Sequence, residues 1–445
     1  MDRQLLVRMY NVGLGDCIYL RVPDRGKDVH ILIDCGNKFG SPDLLGECIT
    51  DLKQELPEAG GKKRLDLLVV SHPHEDHQKG FEEDFFKDLK IENIWLSPAF
   101  NREDPNSKGF RALQDAARRA LNSLSEVALG EMKEEVLELL SLTKGEAIEM
   151  LCHTLPKANG IQPLFVSADT PPTELQIFKD KAIKLKVAGP MQDIDGYYTG
   201  GVGLPGTGDE LAPQGLADGY GGVFASPAPA KMKLPGNISS QDFKRLQGQI
   251  GSNALAVGEL AGHVANNLSV VLLLEWHGRR LLFTGDAEWD SAHQGEVKKG
   301  RTNGSWNVMW QERRNLLEKP LDFLKVGHHG SENATPWTAK KIKGKAHPIN
   351  AILDAILPLP AKGQRSTARA IVSTKRTAKW PTIPNAPLLA EIGKRVANVS
   401  TKYDDGSSPK AVAKNIPQPQ RTDLEEQVAG RPVPYIEILF PPRDM

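Results

Sequence analysis

The stretch Leu65-Asp66-Leu67-Leu68-Val69-Val70-Ser71-His72-Pro73-His74-Glu75-Asp76-His77 carries the two features on which fold and chemistry turn. Its first half, LDLLVV, is apolar at almost every position, the pattern of a strand buried on both faces. Such strands lie in sheets covered by helices, which makes the expected class α/β. Straight after it, three of the chain's 11 histidines fall within six residues. The pattern H-x-H-x-D-H arises by chance in roughly 4 of 10,000 chains of this length and composition. His72 and His74, two apart in extended chain, project to one side and can share a metal ion. Pro73 keeps His72 extended, because the residue before proline is pushed out of the helical region. Asp76 and His77 lie at the turn beyond and are placed to reach a second ion. Imidazole and carboxylate suit Zn²⁺, Mn²⁺ or Fe. The bland alternative is a solvated histidine-rich loop.

Working outward, LLVRMY, CIYLRV and VHILIDCG in residues 4–36 read as strands bounded by Gly, Asp or Pro. AIKLKVAGP (182–190) is another. LSVVLLLEW and RRLLFTGD (268–286), joined by His277-Gly278, read as a hairpin, and FLKVGHHGS (323–331) and YIEILF (435–440) as further strands. Asp286 ends one of these strands and His328-His329-Gly330-Ser331 ends the next; alone, each would be a commonplace turn. Residues 110–124 and 131–142 have helical spacing of apolar side chains. Residues 195–236 are so rich in Gly and Pro that disorder is expected, with a lid as the rival reading. No repeat of fixed period is evident.

The 445 residues carry 56 Lys+Arg against 56 Asp+Glu, which excludes a globally basic nucleic-acid coat but not a local patch. One such patch is residues 340–379, with ten Lys/Arg and a single acid, Asp354. With 4 cysteines and no CxxC pair, a disulfide framework or thiolate zinc site is not expected. The charged start MDRQLLVRMYNVG does not read as a signal peptide. The longest apolar run, Leu268–Glu275, falls well below the ~18 residues of a spanning helix. A cytoplasmic chain without a membrane partner is expected.

Taken together, SHPHEDH, the LFTGD strand end and the later HHGS resemble the metallo-β-lactamase fold, in that family's order. The resemblance is closer to the branch containing the hydrolase domain of ComEC-type DNA-uptake proteins. It rests on Gly13-Leu14-Gly15-Asp16, the LIDCG of Leu32–Gly36, Asn267-Leu268-Ser269 before the GD, and LKVGHHGS at Leu324–Ser331. A looser echo is IVST…WPTIP (Ile371–Pro384). The resemblance implies one domain over 1–445, a four-layer αββα sandwich. Its core would be 1–100, 182–190 and 265–445, with a helical insertion at 101–181 and a Gly/Pro-rich loop insertion at 191–264.

It also implies two divalent ions, Zn²⁺ or Mn²⁺. His72 and His74 would hold one, Asp76 and His77 the other, with Asp286 bridging and His329 completing the second. His328 would face substrate and act with Asp76 in catalysis. Asp34 would orient a ligand histidine, and Asp16, Asn267 and Ser331 would lie behind the ligands or beside the substrate. Many members place a further histidine ligand about twenty residues before the bridging Asp. Here His263 and Asn267 compete for that position; Asn267 fits the ComEC-like pattern better, and His263 reads as a loop residue. The first ion is left short of ligands.

Two bridged ions would acidify a shared water and clamp attacking and leaving oxygens. The fold does not choose a substrate. The ComEC-like features and the basic patch favour a phosphodiester, hence a metal-dependent nuclease or phosphodiesterase binding nucleic acid. The alternatives are a carboxylic-ester or lactone hydrolase, and a non-catalytic module whose insertions bind a protein partner.

Overall fold

A computed structural model describes residues 4–38, 42–125, 145–200, 257–291, 295–374, 380–402 and 435–443. The expected helix at 131–142 and most of the Gly/Pro-rich stretch lie outside them. The strands that matter here are β1 (Leu5–Tyr10), β2 (Cys17–Pro23), β3 (Asp28–Cys35), β4 (Leu67–Val70), β5 (Ile94–Leu96) and β6 (Leu164–Phe165). They continue with β7 (Lys184–Gly189), β8 (Val271–Trp276), β9 (Arg279–Phe283), β10 (Phe323–Val326), β11 (Arg369–Ser373), β12 (Asn398–Lys402) and β13 (Tyr435–Phe440).

Two mixed sheets result. The first has the order β13-β1-β2-β3-β4-β5-β6 and the second β7-β8-β9-β10-β11-β12. In each, the leading strands pair antiparallel and the later ones parallel. The change comes at β3–β4 in the first sheet and at β9–β10 in the second. The β8–β9 connection is the two-residue turn His277-Gly278, both at positive φ (41° and 77°), as a tight hairpin between right-twisted strands requires.

Side chains alternate faces along every strand, and the apolar clusters follow that alternation. Val7, Ile31, Ile33, Leu67 and Val69 of the first sheet share one cluster with Val187, Leu272, Leu281, Phe283 and Phe323 of the second. Leu32, Leu68 and Val70 point the other way, onto Leu45, Ile49 and Leu52 of helix α1 (Pro42–Glu55). Leu282, Leu324, Val326 and Val372 of the second sheet meet three helices, α5 (Ser305–Glu312), α6 (Asn350–Ile356) and α7 (Ala386–Arg395), at Trp306, Leu353 and Leu389 among others.

Three helices belong to the connections between strands. Helix α2 (Glu75–Gln78) is a single turn straight after β4. Helix α3 (Lys108–Ser125) packs Phe110 and Leu113 against Val264 and Leu268, beside helix α4, which covers residues 257–267. His263 therefore sits on a helix rather than in a loop. The segment 101–181 also reaches the core: Leu151 and Leu155 join the α1 cluster, and β6 pairs parallel with β5. No helix among the described residues is long and apolar enough to cross a membrane.

The outer edge of the first sheet is tied down by Arg8, 2% exposed, which bonds Glu437 on β13 and Asp51 and Glu55 on α1. A buried cation is tolerated only when it is paired this fully.

Candidate metal centre

The ends of three strands, β4 of the first sheet and β9 and β10 of the second, converge on one buried point. From β4 come Ser71, His72 and, after Pro73, His74. His74 is still extended (φ −88°, ψ 150°) and opens α2, which brings Asp76 and His77 back beneath it. That turn is pressed against Gly36, where a Cβ would lie 2.4 Å from the His77 backbone nitrogen, so no other residue fits. From β9 comes Asp286, and from β10 the His328-His329 pair.

Asp76, His77, Asp286 and His329 each offer a ligand atom, all within 4.8 Å of one another, and all four residues are buried. His329 Nε2 is 2.7 Å from Asp76 Oδ2, and His77 Nε2 is 3.1 Å from Asp286 Oδ2. Beside them, His72 Nε2 and His74 Nδ1 face each other at 2.8 Å, with Asp286 Oδ2 4.0 Å from His72. One side of the centre thus has four ligand groups and the other has two imidazoles and a more distant carboxylate. Asp76 Oδ1 and His77 Nε2 are buried without a hydrogen-bond partner. An orphaned carboxylate oxygen such as Asp76 Oδ1 is what a cation would satisfy, and the surrounding imidazoles and carboxylates fit a divalent ion.

Three of the candidate histidines are aimed by neighbours. His77 Nδ1 is 2.8 Å from Asp34 Oδ2, and Asp34 also accepts from the Ser71 amide and hydroxyl. His72 Nδ1 is held between Ser71 Oγ and Ser269 Oγ, and Ser269 Oγ accepts from the Asp286 amide. His329 Nδ1 is 2.8 Å from the Ser373 carbonyl, fixing Nε2 toward Asp76. These bonds set the ring orientation that metal ligation demands.

Burial and neighbouring imidazoles hold His72 well below the ordinary histidine range; burial brings His74 down to about 3. Both are therefore neutral, with lone pairs available. Burial would also discharge His77, but Asp286 and Asp34 outweigh it and hold it well above the usual value. Burial pushes the Asp76 carboxyl up; Lys38 and His329 more than offset that and keep it ionised. In the same way, His77 keeps Asp286 ionised against its burial.

The histidine pair divides its work. Both residues lie at positive φ (41° and 53°), so consecutive rings turn apart. His329 goes inward, 3% exposed, to Asp76, while His328, 27% exposed, has Nδ1 2.9 Å from Glu288 Oε1. Asn267 does not face the centre. Its Oδ1 accepts from the amides of Glu288 and Ser305, and its Nδ2 donates to the His263 carbonyl. Ser331 likewise spends its hydroxyl on Asn333 in its own turn. Neither potential ligand group includes His263, whose Nδ1 bonds Glu288 Oε2 at 2.8 Å. The position contested by His263 and Asn267 is therefore taken as a ligand by neither.

Asp16, Asp34 and His77 form a second cluster of potential ligands. It already has a cation: buried Lys325 of β10 contacts Asp16 Oδ2, with Asp286 Oδ1 3.8 Å away. Burial would neutralise this amine, and the carboxylates keep it charged. Sequence reasoning missed both Lys325 and Glu288. A lysine inside the apolar run Leu321–Val326 was a usable signal, because an unpaired amine is not buried. Glu288, two residues after Asp286, carried no comparable mark.

No protein-family model matches the chain, and a search of curated proteins finds no match.

Proposed function

We propose that this chain is a metal-dependent hydrolase of the metallo-β-lactamase type, cleaving phosphodiester bonds in nucleic acid. The observation that carries the reading is the four-ligand cluster of Asp76, His77, Asp286 and His329, drawn from two sheets onto one buried point. The apolar clusters, one between the sheets and one on the helix-covered face of each, support the four-layer sandwich. Asp76, His77, Asp286 and His329 would hold one divalent ion, and His72 with His74 a second, beside Asp286. Ions bound there would polarise the scissile group and make water a nucleophile near neutral pH.

The chain's own residues supply the rest. Ser71, Ser269, Asp34 and the Ser373 carbonyl fix the ligand rings before substrate arrives. His328, on the exposed side of the pair, is placed to meet a leaving or non-bridging oxygen. The phosphodiester preference is supported by the basic segment that follows the HHGS turn. Its hairpin Lys341–Ile342 and Lys345–Ala346 projects Lys341 and Lys345 outward, and Lys340 reaches Glu332, the residue after Ser331, at 3.0 Å. Cations there would draw in a phosphate backbone.

The test is incubation of purified protein with labelled single- and double-stranded DNA and RNA, in Mn²⁺ and in Zn²⁺, beside Asp286→Asn. Cleavage by wild type alone is expected. No cleavage by a protein that binds its metals would turn the reading to carboxylic esters or lactones. Metal content below one per chain would sink it and revive a partner-binding module.

A further inference from the structure

Helix α3 turns its apolar side, Phe110, Leu113 and Ala117, to the core. Its other side carries Arg111, Asp115 and Arg118 at i, i+4 and i+7, one stripe of the helix. That stripe lines a cavity of about 110 Å³ together with Arg102, Phe100 and Pro73. One wall of the cavity is therefore the metal loop itself, because Pro73 stands between the candidate ligands His72 and His74. The sheet explains the meeting. β5 pairs parallel with β4, so the turn Pro98–Phe100 that follows β5 comes up beside the turn that follows β4. Arg102 and Arg118 are exposed and Arg111 is half-buried. Arg111 is already fixed: its Nη1 donates to the Asp104 carbonyl at 2.6 Å and to Ser107 Oγ at 2.7 Å. Among the described residues, no carboxylate pairs with any of the three guanidinium groups. Three permanent cations thus share with one acid, Asp115, a hollow with room for roughly four water molecules.

A merely solvated helix face would not need Arg102, from a different segment, to converge on the same hollow. We propose that this cavity is a subsite for a backbone phosphate of a single-stranded nucleic acid, further along the strand from the scissile bond. This deepens, and rests on, the phosphodiesterase reading. Guanidinium groups grip phosphate through paired N–H donors, and such contacts position a strand without reading its bases. Segment 101–181, which lies outside the residues that carry the family resemblance, thereby holds the strand beside the ligands. A substrate with a single phosphate gains nothing from it.

The test follows the fluorescence anisotropy of a labelled single-stranded oligodeoxynucleotide on the full chain, over a series of salt concentrations. EDTA keeps the strand intact, and its cleavage by wild type in Mn²⁺ is measured separately. Arg118→Gln should weaken binding roughly tenfold, the worth of one charge-assisted contact. It should also reduce the slope of log affinity against log salt by about 0.7, one phosphate on a single strand. Arg119→Gln removes the same charge one position along, outside the cavity, and should change both quantities little. Equal losses in the two variants would reduce the cavity to part of a general positive field and overturn the proposal. Wild-type affinity and slope in Arg118→Gln would overturn it too; in either case cleavage in Mn²⁺ still upholds the phosphodiesterase reading. Arg118-dependent binding by a wild type that never cuts the strand overturns that reading and keeps the phosphate site.

Discussion

The two sheets are laid out alike, yet they bring different chemistry to the same point. Each runs from antiparallel to parallel pairing, and in each the ligands follow the strands at that change: β4 in the first, β9 and β10 in the second. Behind the first, four candidate ligands crowd into the six residues His72–His77, held by Asp34 at the end of β3 and Gly36 just beyond it. Behind the second, Asp286 and His329 stand 43 positions apart beyond the ends of two neighbouring strands, with Lys325 on the second of these. The first half brings two neutral imidazoles, His72 and His74, beside the ionised Asp76 and the charged His77; the second supplies the carboxylate that reaches toward both groups and a buried cation beside it.

The largest effect should come from removing the carboxylate common to both halves. Asp286→Asn should cost on the order of a thousandfold in turnover on DNA, several kcal/mol of lost electrostatic stabilisation, with circular dichroism unchanged. Turnover within tenfold of wild type would break the comparison at its centre.

Lys325→Met should come next. It leaves Asp16 and Asp286 buried beside one another without their cation, which costs about 3 kcal/mol in urea unfolding of the metal-free protein. Added Mn²⁺ should recover part of that loss, because an ion binding only the folded state stabilises it. No recovery would mean that Lys325 acts apart from the metal centre.

A smaller change separates the two groups of ligands. His74→Ala should remove one ion and leave the other, lowering stoichiometry by one and weakening the remaining binding by no more than about tenfold. Loss of both ions would show the four-ligand group to depend on the pair.

The smallest effect lies away from the site, in the first sheet alone. His30 is buried against Tyr19 Oη at 2.8 Å, and burial lowers its pKa. A base whose folded pKa lies below its unfolded value near 6.5 contributes stability above that value and loses it as pH falls toward the folded one. Wild type should therefore lose more thermal midpoint between pH 7.5 and 5.5 than His30→Gln. Parallel slopes would contradict this assignment.

The parts of the site that sequence made legible are those written within a few residues of one another. The buried run before Ser71, the extended His72-Pro73-His74 and the turn to Asp76 and His77 all follow from local geometry. Asp286 and the histidine pair were legible as strand ends. What stayed hidden depended on partners far along the chain. Nothing near Glu288 announces that it would bind His263, 25 positions earlier, and His328, 40 positions later. The split of the histidine pair needed two consecutive left-handed residues, which histidine rarely adopts. The two-residue edge strand Leu164–Phe165 is too short to leave a period.

Because Asp76 and His77 arrive with one sheet and Asp286 and His329 with the other, neither half holds the set of four by itself. An ion held by all four could be taken up tightly only once the two sheets have docked, so its uptake would mark the closing of the fold rather than its nucleation. In a refolding experiment the metal would act as a clock for that last step, silent while either half is still searching for the other.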